Sequence, residues 1–292
     1  MASLMEGDAG LERDARITPI RDGVASRSLE GLVRAEVYLD PTAMVCAVPA
    51  TGIHRAPDAA SEQMDQLLFG ETFDVVEEEG AWLWGQVRRD GYVGFVAAAA
   101  LNPVPALLAE RGPTHRVCAI RTYAFAGPSI KTQASGPYSM NALAAVEATE
   151  GRLAKVTRAG WMAVEHLMPI GTFETDVAGV AERFLGAPYL WGGRESLGLD
   201  CSGLVQQALF ACGLPCPRDA DQQATMGREI APSEFRRGDL VFWDGHVAIG
   251  LDAKRLVHAS GFHMAVAIES LETAIRRIDA AGVGPPTAYR RL

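Results

Sequence analysis

The hydrophobic pattern changes at Pro169, and this change divides the chain into two parts of different fold class. Before Pro169, short apolar stretches alternate with Gly, Pro and Asp, which is typical of small all-β domains. After it, residues 175–188 and 201–212 each place apolar side chains on one side of a helix, and short strands follow them. Helices followed by an antiparallel sheet indicate an α+β domain.

The β-rich part contains a degenerate internal repeat. Three residues recur at identical spacing, as Phe95, Leu101 and Pro103 in the first copy and Trp161, Leu167 and Pro169 in the second. The repeat and its β character predict two tandem all-β SH3-like barrels. The predicted division is an N-terminal arm over residues 1–30, barrels over residues 31–103 and 104–170, and the α+β domain over residues 171–292.

The composition limits the partners that we expect. The 292 residues carry a formal net charge of −9, which argues against nucleic acid and anionic membrane surfaces, since both attract basic proteins. No apolar run approaches the ~18 residues of a membrane span, and residues 1–20 lack the apolar core of a secretory signal. The five cysteines form an odd set at irregular spacing, so we expect reduced thiols and a cytoplasmic location.

Cys201 stands where a helix is predicted to begin. Asp200 and Ser202 are residue types that favour helix starts, and apolar residues recur from Leu204 to Cys212. The positive end of a helix and a nearby imidazolium can lower a thiol pKa from ~8.5 to ~3.5–7.5. Cys201 is therefore a candidate nucleophile, although a buried core cysteine fits the same local pattern.

A cysteine nucleophile needs a histidine as its base and a third group that orients this histidine. His246 opens the strand HVAIG, and His258 lies on the next strand across a short polar turn. The two can be neighbours, but a one-residue slip in register would turn His258 to the other face. His263 is an alternative third member. The remaining histidines are interpreted as surface or structural residues of the β-rich part: His54, His115 and His166.

Five motifs follow one another in the last part of the chain: PYLWGG (188–193), DCSGLVQ (200–206), RRGDLVFW (236–243), GHVAI (245–249) and LVHA (256–259). Together they resemble the NlpC-type family of papain-like cysteine peptidases, which act on bacterial cell-wall peptides. The resemblance implies a papain-like fold, with Cys201 as nucleophile, His246 as general base and acid, and His258 as the group that orients His246. It also implies an oxyanion hole at the backbone N–H of Cys201, with Tyr189 close by. We expect no cofactor and no metal.

The whole arrangement, two barrels before the peptidase domain, resembles the γ-D-glutamyl-L-diamino acid endopeptidases of wall-peptide recycling. These enzymes release L-Ala-γ-D-Glu from fragments with a free N-terminal L-alanine, so the resemblance implies murein-derived peptides as partners. A buried ammonium needs carboxylate and hydroxyl partners. The implied substrate-binding residues are Tyr189, Asp200, Ser202, Arg218 and Asp219 in the peptidase domain, and Glu71 and Tyr92 in the first barrel.

Two details of this substrate site stay open. Arg218 could hold Asp219 in place or pair with a substrate carboxylate. Ala220 stands where relatives tend to carry Ser, which could remove one hydrogen bond to the substrate. The residues do not indicate whether the diamino acid is diaminopimelate or lysine.

Other functions fit parts of the sequence. The barrels could anchor the chain to intact murein as a wall-binding protein, with the hydrolase acting on intact peptidoglycan. The same thiol chemistry could also serve an amidase or acyltransferase with other substrates. Metal binding by Cys212 and Cys216 is disfavoured, because no second Cys/His pair accompanies them at finger-like spacing.

Overall fold

The computed structural model describes residues 13–292, so the first twelve residues of the predicted arm lie outside the described residues. The rest of the arm leads into a small three-stranded sheet. Its strands are β1 (Ile20–Arg21), β2 (Val24–Ser26) and β3 (Val37–Leu39). The predicted boundary at residue 30 falls between β2 and β3, which pair in parallel.

Seven antiparallel strands follow and form one sheet, which we call the first β unit. They are β4 (Thr42–Cys46), β5 (Ala50–His54), β6 (Gln63–Leu68), β7 (Thr72–Glu79), β8 (Trp82–Val87), β9 (Val93–Ala97) and β10 (Leu101–Pro103). Their order in the sheet is β10-β4-β7-β8-β9-β5-β6. Buried apolar residues such as Ile53, Leu67 and Phe73 form the core of this unit.

A short helix, α1 (Ala106–Arg111), leads to a second group of eight strands, the second β unit. They are β11 (His115–Val117), β12 (Arg121–Phe125), β13 (Ala134–Ser139), β14 (Leu143–Ala144), β15 (Val146–Glu150), β16 (Leu153–Val156), β17 (Gly160–Ala163) and β18 (Leu167–Pro169). They form two sheets, with orders β14-β11-β18 and β13-β12-β17-β16-β15. Both β units end in a strand, a 3-10 turn and a last strand, and Leu101 and Leu167 begin the two last strands.

The last part of the chain has the predicted α+β composition. Its helices are α2 (Val177–Glu182), α3 (Cys201–Ala211), α4 (Ala220–Gln223) and α5 (Leu271–Ala280). Its strands are β19 (Arg194–Glu195), β20 (Gly198–Leu199), β21 (Arg228–Glu229), β22 (Leu240–Trp243), β23 (His246–Gly250), β24 (Arg255–Ser260), β25 (Ala265–Ser270) and β26 (Ala288–Arg291). Six of them form a sheet in the order β21-β26-β22-β23-β24-β25. The domain bounds at residues 103 and 170 stay predictions.

Two helices differ from the sequence pattern. The pattern over residues 175–188 predicts a longer α2, but the helix ends at Glu182. Gly186, with φ of 79°, turns the chain, and its backbone N–H donates to the carbonyl oxygen of Val266. The one-sided stripe of α3 predicts a polar exposed face, yet every residue of α3 is buried. The β units cover that face, and Gln206 donates to Asp90 of the first β unit at 3.0 Å.

A buried charge cluster joins the first β unit to the α+β part. In it four carboxylates face three guanidiniums: Asp65, Glu71, Asp90 and Asp200 against Arg89, Arg194 and Arg218. Arg194 is completely buried, lies 3.0 Å from Asp90 and also contacts Glu71. Because the carboxylates are in excess, they compete for the same cations. Burial, together with Asp90, raises the pKa of Asp65 to about 7 against the opposing pull of Arg194.

In residues 13–292, no helix is both long enough and apolar enough to cross a membrane.

Candidate active site

Helix α3 begins at Cys201, and Asp200 caps it as its sequence predicts. One Asp200 oxygen accepts from the backbone N–H of Gly203 at 2.7 Å, and the other accepts from that of Gly192 at 3.0 Å. Gly203 has no room for a side chain, since a Cβ there would lie 2.2 Å from the carbonyl oxygen of Gly193. The cap therefore fixes the first turn of the helix, and with it the position of Cys201.

Arg218 holds the capping carboxylate. It donates to the two oxygens of Asp200 at 2.9 and 2.5 Å, to Ser202 Oγ at 2.7 Å and to Asp65 at 2.6 Å. All four side chains are buried. The start of helix α3 is therefore tied, through one guanidinium, to a strand of the first β unit.

The two predicted histidines lie together on adjacent strands. Strands β23 and β24 pair Ile249 with Val257 and Gly250 with Leu256, and this register puts both histidines on one face. His246 Nε2 lies 2.9 Å from His258 Nδ1. Within residues 13–292, His246 Nδ1 makes no hydrogen bond, so this nitrogen remains for a thiol proton. His263, the alternative third member, is exposed, and its ring centre lies 5.8 Å from that of His258.

Cys201 lies at the side of a cleft of about 430 Å³. Its Sγ is 4.0 Å from the carbonyl oxygen of Gly245, the residue before His246, and its side chain retains a small exposed fraction. The cleft residues come from the arm, the first β unit and the α+β part: Arg16; Arg55, Glu62, Met64 and Tyr92; Trp191, Asp200, Cys201, Ser202, Asp219, Ala220, Asp221, Asp244 and Gly245. The nucleophile candidate thus lies in the wall of a chamber that three segments build.

A carboxylate with two donors forms another part of the cleft wall. Asp219 precedes helix α4, and its Oδ2 accepts from the Tyr92 hydroxyl at 3.1 Å and from Arg16 Nη1 at 2.8 Å. The Asp219 side chain is still 24% exposed, so it can accept a further donor from the cleft.

Comparison with protein families identifies the part that carries these residues. The sequence model of the NlpC/P60 family matches residues 186–280, which include Cys201, His246 and His258. Residues 186–280 are an NlpC/P60 domain. The model described as the bacterial dipeptidyl-peptidase Sh3 domain matches residues 53–101 of the first β unit. The NlpC/P60 domain therefore follows a bacterial SH3 domain in this chain.

Similar proteins extend over most of the chain. It is 28% identical over 250 residues to dipeptidyl-peptidase 6 of Lysinibacillus sphaericus, with 79% of this chain and 92% of that protein covered. It is 27% identical over 231 residues to the γ-D-glutamyl-L-lysine dipeptidyl-peptidase of Bacillus subtilis strain 168, with coverages of 72% and 76%. A crystal structure of an NlpC/P60 family protein from Bacillus cereus ATCC 10987 shares the fold, with a TM-score of 0.75, 19% identity and coverages of 86% and 99%. The domain and the relatives support a hydrolase of the peptidase class.

Burial disfavours the charged forms of Cys201, His246 and His258 in the NlpC/P60 domain. It raises the pKa of the Cys201 thiol to about 12, and the neighbouring Asp200 acts in the same direction. It lowers the pKa of His246 to about 4 and that of His258 to about 2. The expectation of a lowered thiol pKa is therefore wrong. Burial therefore favours the neutral forms of both the Cys201 thiol and the His246 imidazole.

The predicted substrate-binding residues of the NlpC/P60 domain lie partly in the cleft and partly in the buried interior. Ser202 and Asp200 border the cleft. Tyr189 is half-buried against the core around Cys201, and burial, with Cys201 nearby, raises its pKa. Arg218 is only 1% exposed, and Asp65, Asp200 and Ser202 use its donors. These hydrogen bonds support the helix start, and none of them goes to Asp219, although the charge of Arg218 acts to lower the pKa of Asp219. The predicted binding of a substrate carboxylate by Arg218 stays a prediction.

The predicted position of Glu71 is wrong. We predict it in the cleft, but it is 1% exposed and binds Arg89 and Arg194 in the buried charge cluster. The glutamate of the first β unit that does border the cleft is Glu62, which accepts a hydrogen bond from Trp191 Nε1 at 3.0 Å. Tyr92, in contrast, lies where we predict it.

One group near the histidine pair has metal-ligand side chains. His258, His263 and Glu269 place one ligand atom each within 4.8 Å of one another. Arg277, however, donates to both oxygens of Glu269, at 3.1 and 2.7 Å. Its positive charge opposes a cation at this point.

Arg16 and Asp221 are among the cleft residues that the sequence does not predict. Arg16 belongs to an irregular segment that carries no motif, and Asp221 looks like an ordinary residue of a short helix. The one signal that could point to them is charge, since the segments DAR (14–16) and RDAD (218–221) have complementary ends.

Proposed function

We propose that this protein is a cysteine endopeptidase that cleaves the bond between γ-D-Glu and the diamino acid of murein peptides. Its substrates carry a free N-terminal L-Ala, and its product is L-Ala-γ-D-Glu. The observation that carries the proposal is a partly exposed carboxylate, Asp219, in the same cleft as Cys201. The name of the Bacillus subtilis relative, γ-D-glutamyl-L-lysine dipeptidyl-peptidase, agrees with it.

Asp219 and Tyr92 suit a substrate ammonium. Burial raises the pKa of Asp219 above its ordinary value, although Arg218 and Arg16 oppose this shift. A positive group from the substrate therefore stabilises the ionised carboxylate and gains a charge-assisted hydrogen bond. An acetylated amine carries no charge, so the proposed site discriminates against blocked peptides.

The reaction needs only groups of the NlpC/P60 domain. The Cys201 sulfur attacks the γ-carbonyl carbon as its proton passes to His246 Nδ1, while His258 holds the imidazole through Nε2. As the first residue of α3, Cys201 has a backbone N–H without an intrahelical partner, and this N–H faces the developing oxyanion. His246 then gives its proton to the leaving amine, which leaves an acyl thioester. Water, losing its proton to His246, hydrolyses the thioester and restores the thiol.

The wider setting is also a proposal. We propose that the second β unit is a further SH3-like barrel, since it ends in the same succession of elements as the first. The net charge of −9 and the five unpaired cysteines agree with a role on free wall peptides in the cytoplasm rather than on nucleic acid or a membrane.

The test is cleavage of defined tripeptides by the purified full chain. We expect L-Ala-γ-D-Glu-L-Lys or its diaminopimelate counterpart to yield L-Ala-γ-D-Glu, measured by mass spectrometry. The N-acetylated peptides should be cleaved far more slowly. Cys201→Ala should give no product, whereas the control Cys212→Ala, at a cysteine outside the cleft, should retain activity. Equal cleavage of free and acetylated peptides, or activity in Cys201→Ala, would contradict the proposal.

A further inference from the structure

Arg16 of the arm is fully engaged by carboxylates at the edge of the cleft. Its Nη1 donates to Asp219 at 2.8 Å and to Asp221 at 2.8 Å, and its Nη2 donates to Asp221 at 2.7 Å. Asp14 accepts from Nε at 2.9 Å and from Nη2 at 2.7 Å. These five bonds use all five N–H donors of the guanidinium. Arg16 therefore has no donor left for a substrate carboxylate.

The arm is fixed on both sides of this residue. Asp14 accepts from Gln222 of helix α4 at 2.8 Å, and the carbonyl oxygen of Arg16 accepts from the backbone N–H of Val93 at 2.7 Å. The first contact is to the NlpC/P60 domain and the second is to the first β unit. The Arg16 side chain is thus held between these two parts.

A second cavity lies behind Arg16. It has a volume of about 190 Å³ and is bordered by apolar residues of the first β unit, among them Trp84, Val93 and Phe95. Four residues border both this cavity and the cleft: Arg16, Arg55, Met64 and Tyr92. They therefore form the partition between the two spaces.

We propose that Arg16 is a specificity-determining residue that ends the cleft beyond the substrate ammonium. The inference rests on the proposed function, because it assigns the ammonium to Asp219. With Arg16 in place, the chain of the substrate stops at its first residue. An acyl group or an added residue on the amine would need the space that the guanidinium fills. Three carboxylates surround one guanidinium here, so the end of the cleft still attracts a cation.

Removing the side chain of Arg16 should join the cleft to the second cavity. We therefore expect Arg16→Ala to admit N-acetyl and N-glycyl forms of the tripeptide. The measured quantity is kcat/KM for the extended peptide divided by kcat/KM for the free peptide. This ratio should rise about tenfold or more, the scale on which a pocket discriminates by volume.

Two controls make the result specific. Arg27→Ala removes another arginine of the N-terminal segment, one that pairs with Glu30 and Asp40 outside the cleft, and it should leave the ratio unchanged. Arg16→Lys retains a positive charge and most of the length, so its ratio should stay closer to that of the unaltered protein than to that of Arg16→Ala.

The outcomes separate the inference from the proposed function. An unaltered protein that cleaves no tripeptide contradicts the proposed function itself. If the protein cleaves the free tripeptide but Arg16→Ala leaves the ratio unchanged, Arg16 is only a structural tie and the inference fails. If Arg16→Ala speeds cleavage of the free peptide alone, Arg16 competes with the ammonium for Asp219, and the inference also fails.

Discussion

Arg194 offers the sharpest test of what holds the two parts of the cleft together. It is completely buried, and its guanidinium faces Asp90 and Glu71 of the first β unit. Arg194→Met keeps most of the side-chain volume but leaves buried carboxylates without their cation. Breaking a buried ion pair from one side costs about 3–5 kcal/mol, or about 6–20 °C in Tm at roughly 2–4 °C per kcal/mol.

The assay is thermal unfolding of the full chain, followed by fluorescence and by activity. Arg88→Met is the matched control, because Arg88 makes a bidentate pair with Asp74, at 2.7 Å for each bond, in the same β unit but is 57% exposed. An exposed pair contributes about 0–1 kcal/mol, so its Tm should change little.

The pH dependence of the Arg194→Met penalty has a definite sign. Without the guanidinium, the pKa of buried Asp65, which Arg194 acts to lower, rises further in the folded state above its value in the unfolded chain. The folded variant then binds more protons, so its stability increases as the pH falls, and the penalty should be smaller at low pH than at neutral pH. Equal Tm losses for Arg194→Met and Arg88→Met would refute the assignment of a buried, coupling cluster.

Three further predictions concern the NlpC/P60 domain. Because burial raises the pKa of Cys201 to about 12, the rate of alkylation of its thiol by iodoacetamide should rise about tenfold per pH unit between pH 6 and 9. A rate independent of pH would indicate a preformed thiolate instead. In the same protein, kcat/KM should rise through pH 4 as His246 becomes neutral and stay level above it, and a midpoint near pH 7 would contradict the buried imidazole. Gly203→Ala should lower both activity and Tm, since its Cβ would lie 2.2 Å from the Gly193 carbonyl oxygen. The control Gly261→Ala should change neither quantity, because a Cβ there meets no atom within 4 Å. Unchanged activity and Tm in Gly203→Ala would show that the first turn of α3 can shift freely.

The sequence predicts those parts of the site that depend on neighbouring residues. The Asp200 cap and the start of α3 at Cys201 are local features, and both follow from residue types within four positions. The two histidines are predicted as far as the hairpin allows, because two strands joined by a short turn must pair. Their register depends on packing, so the distance between them becomes known only from the structure.

The remaining features arise from contacts between distant segments. Glu71 and Glu62 both flank turns of the first β unit. Glu71 is buried against Arg89 and against Arg194, which lies far along the chain. Arg16 is 203 residues from Asp219 and lies in a segment without periodicity. The pKa of Cys201 depends on how completely the folded chain excludes solvent from its thiol, which no local pattern reports.

The buried charge cluster has a consequence for how this protein can be divided. The first β unit supplies Glu71 and Asp90 to Arg194 and Asp65 to Arg218, and Arg218 in turn holds Asp200, the cap of helix α3. An NlpC/P60 segment expressed alone would present two guanidiniums to water at a surface shaped for carboxylates, and it would lack Tyr92 of the cleft. In evolution and in protein engineering alike, the first β unit therefore cannot be exchanged for another domain unless that domain supplies carboxylates at the matching positions.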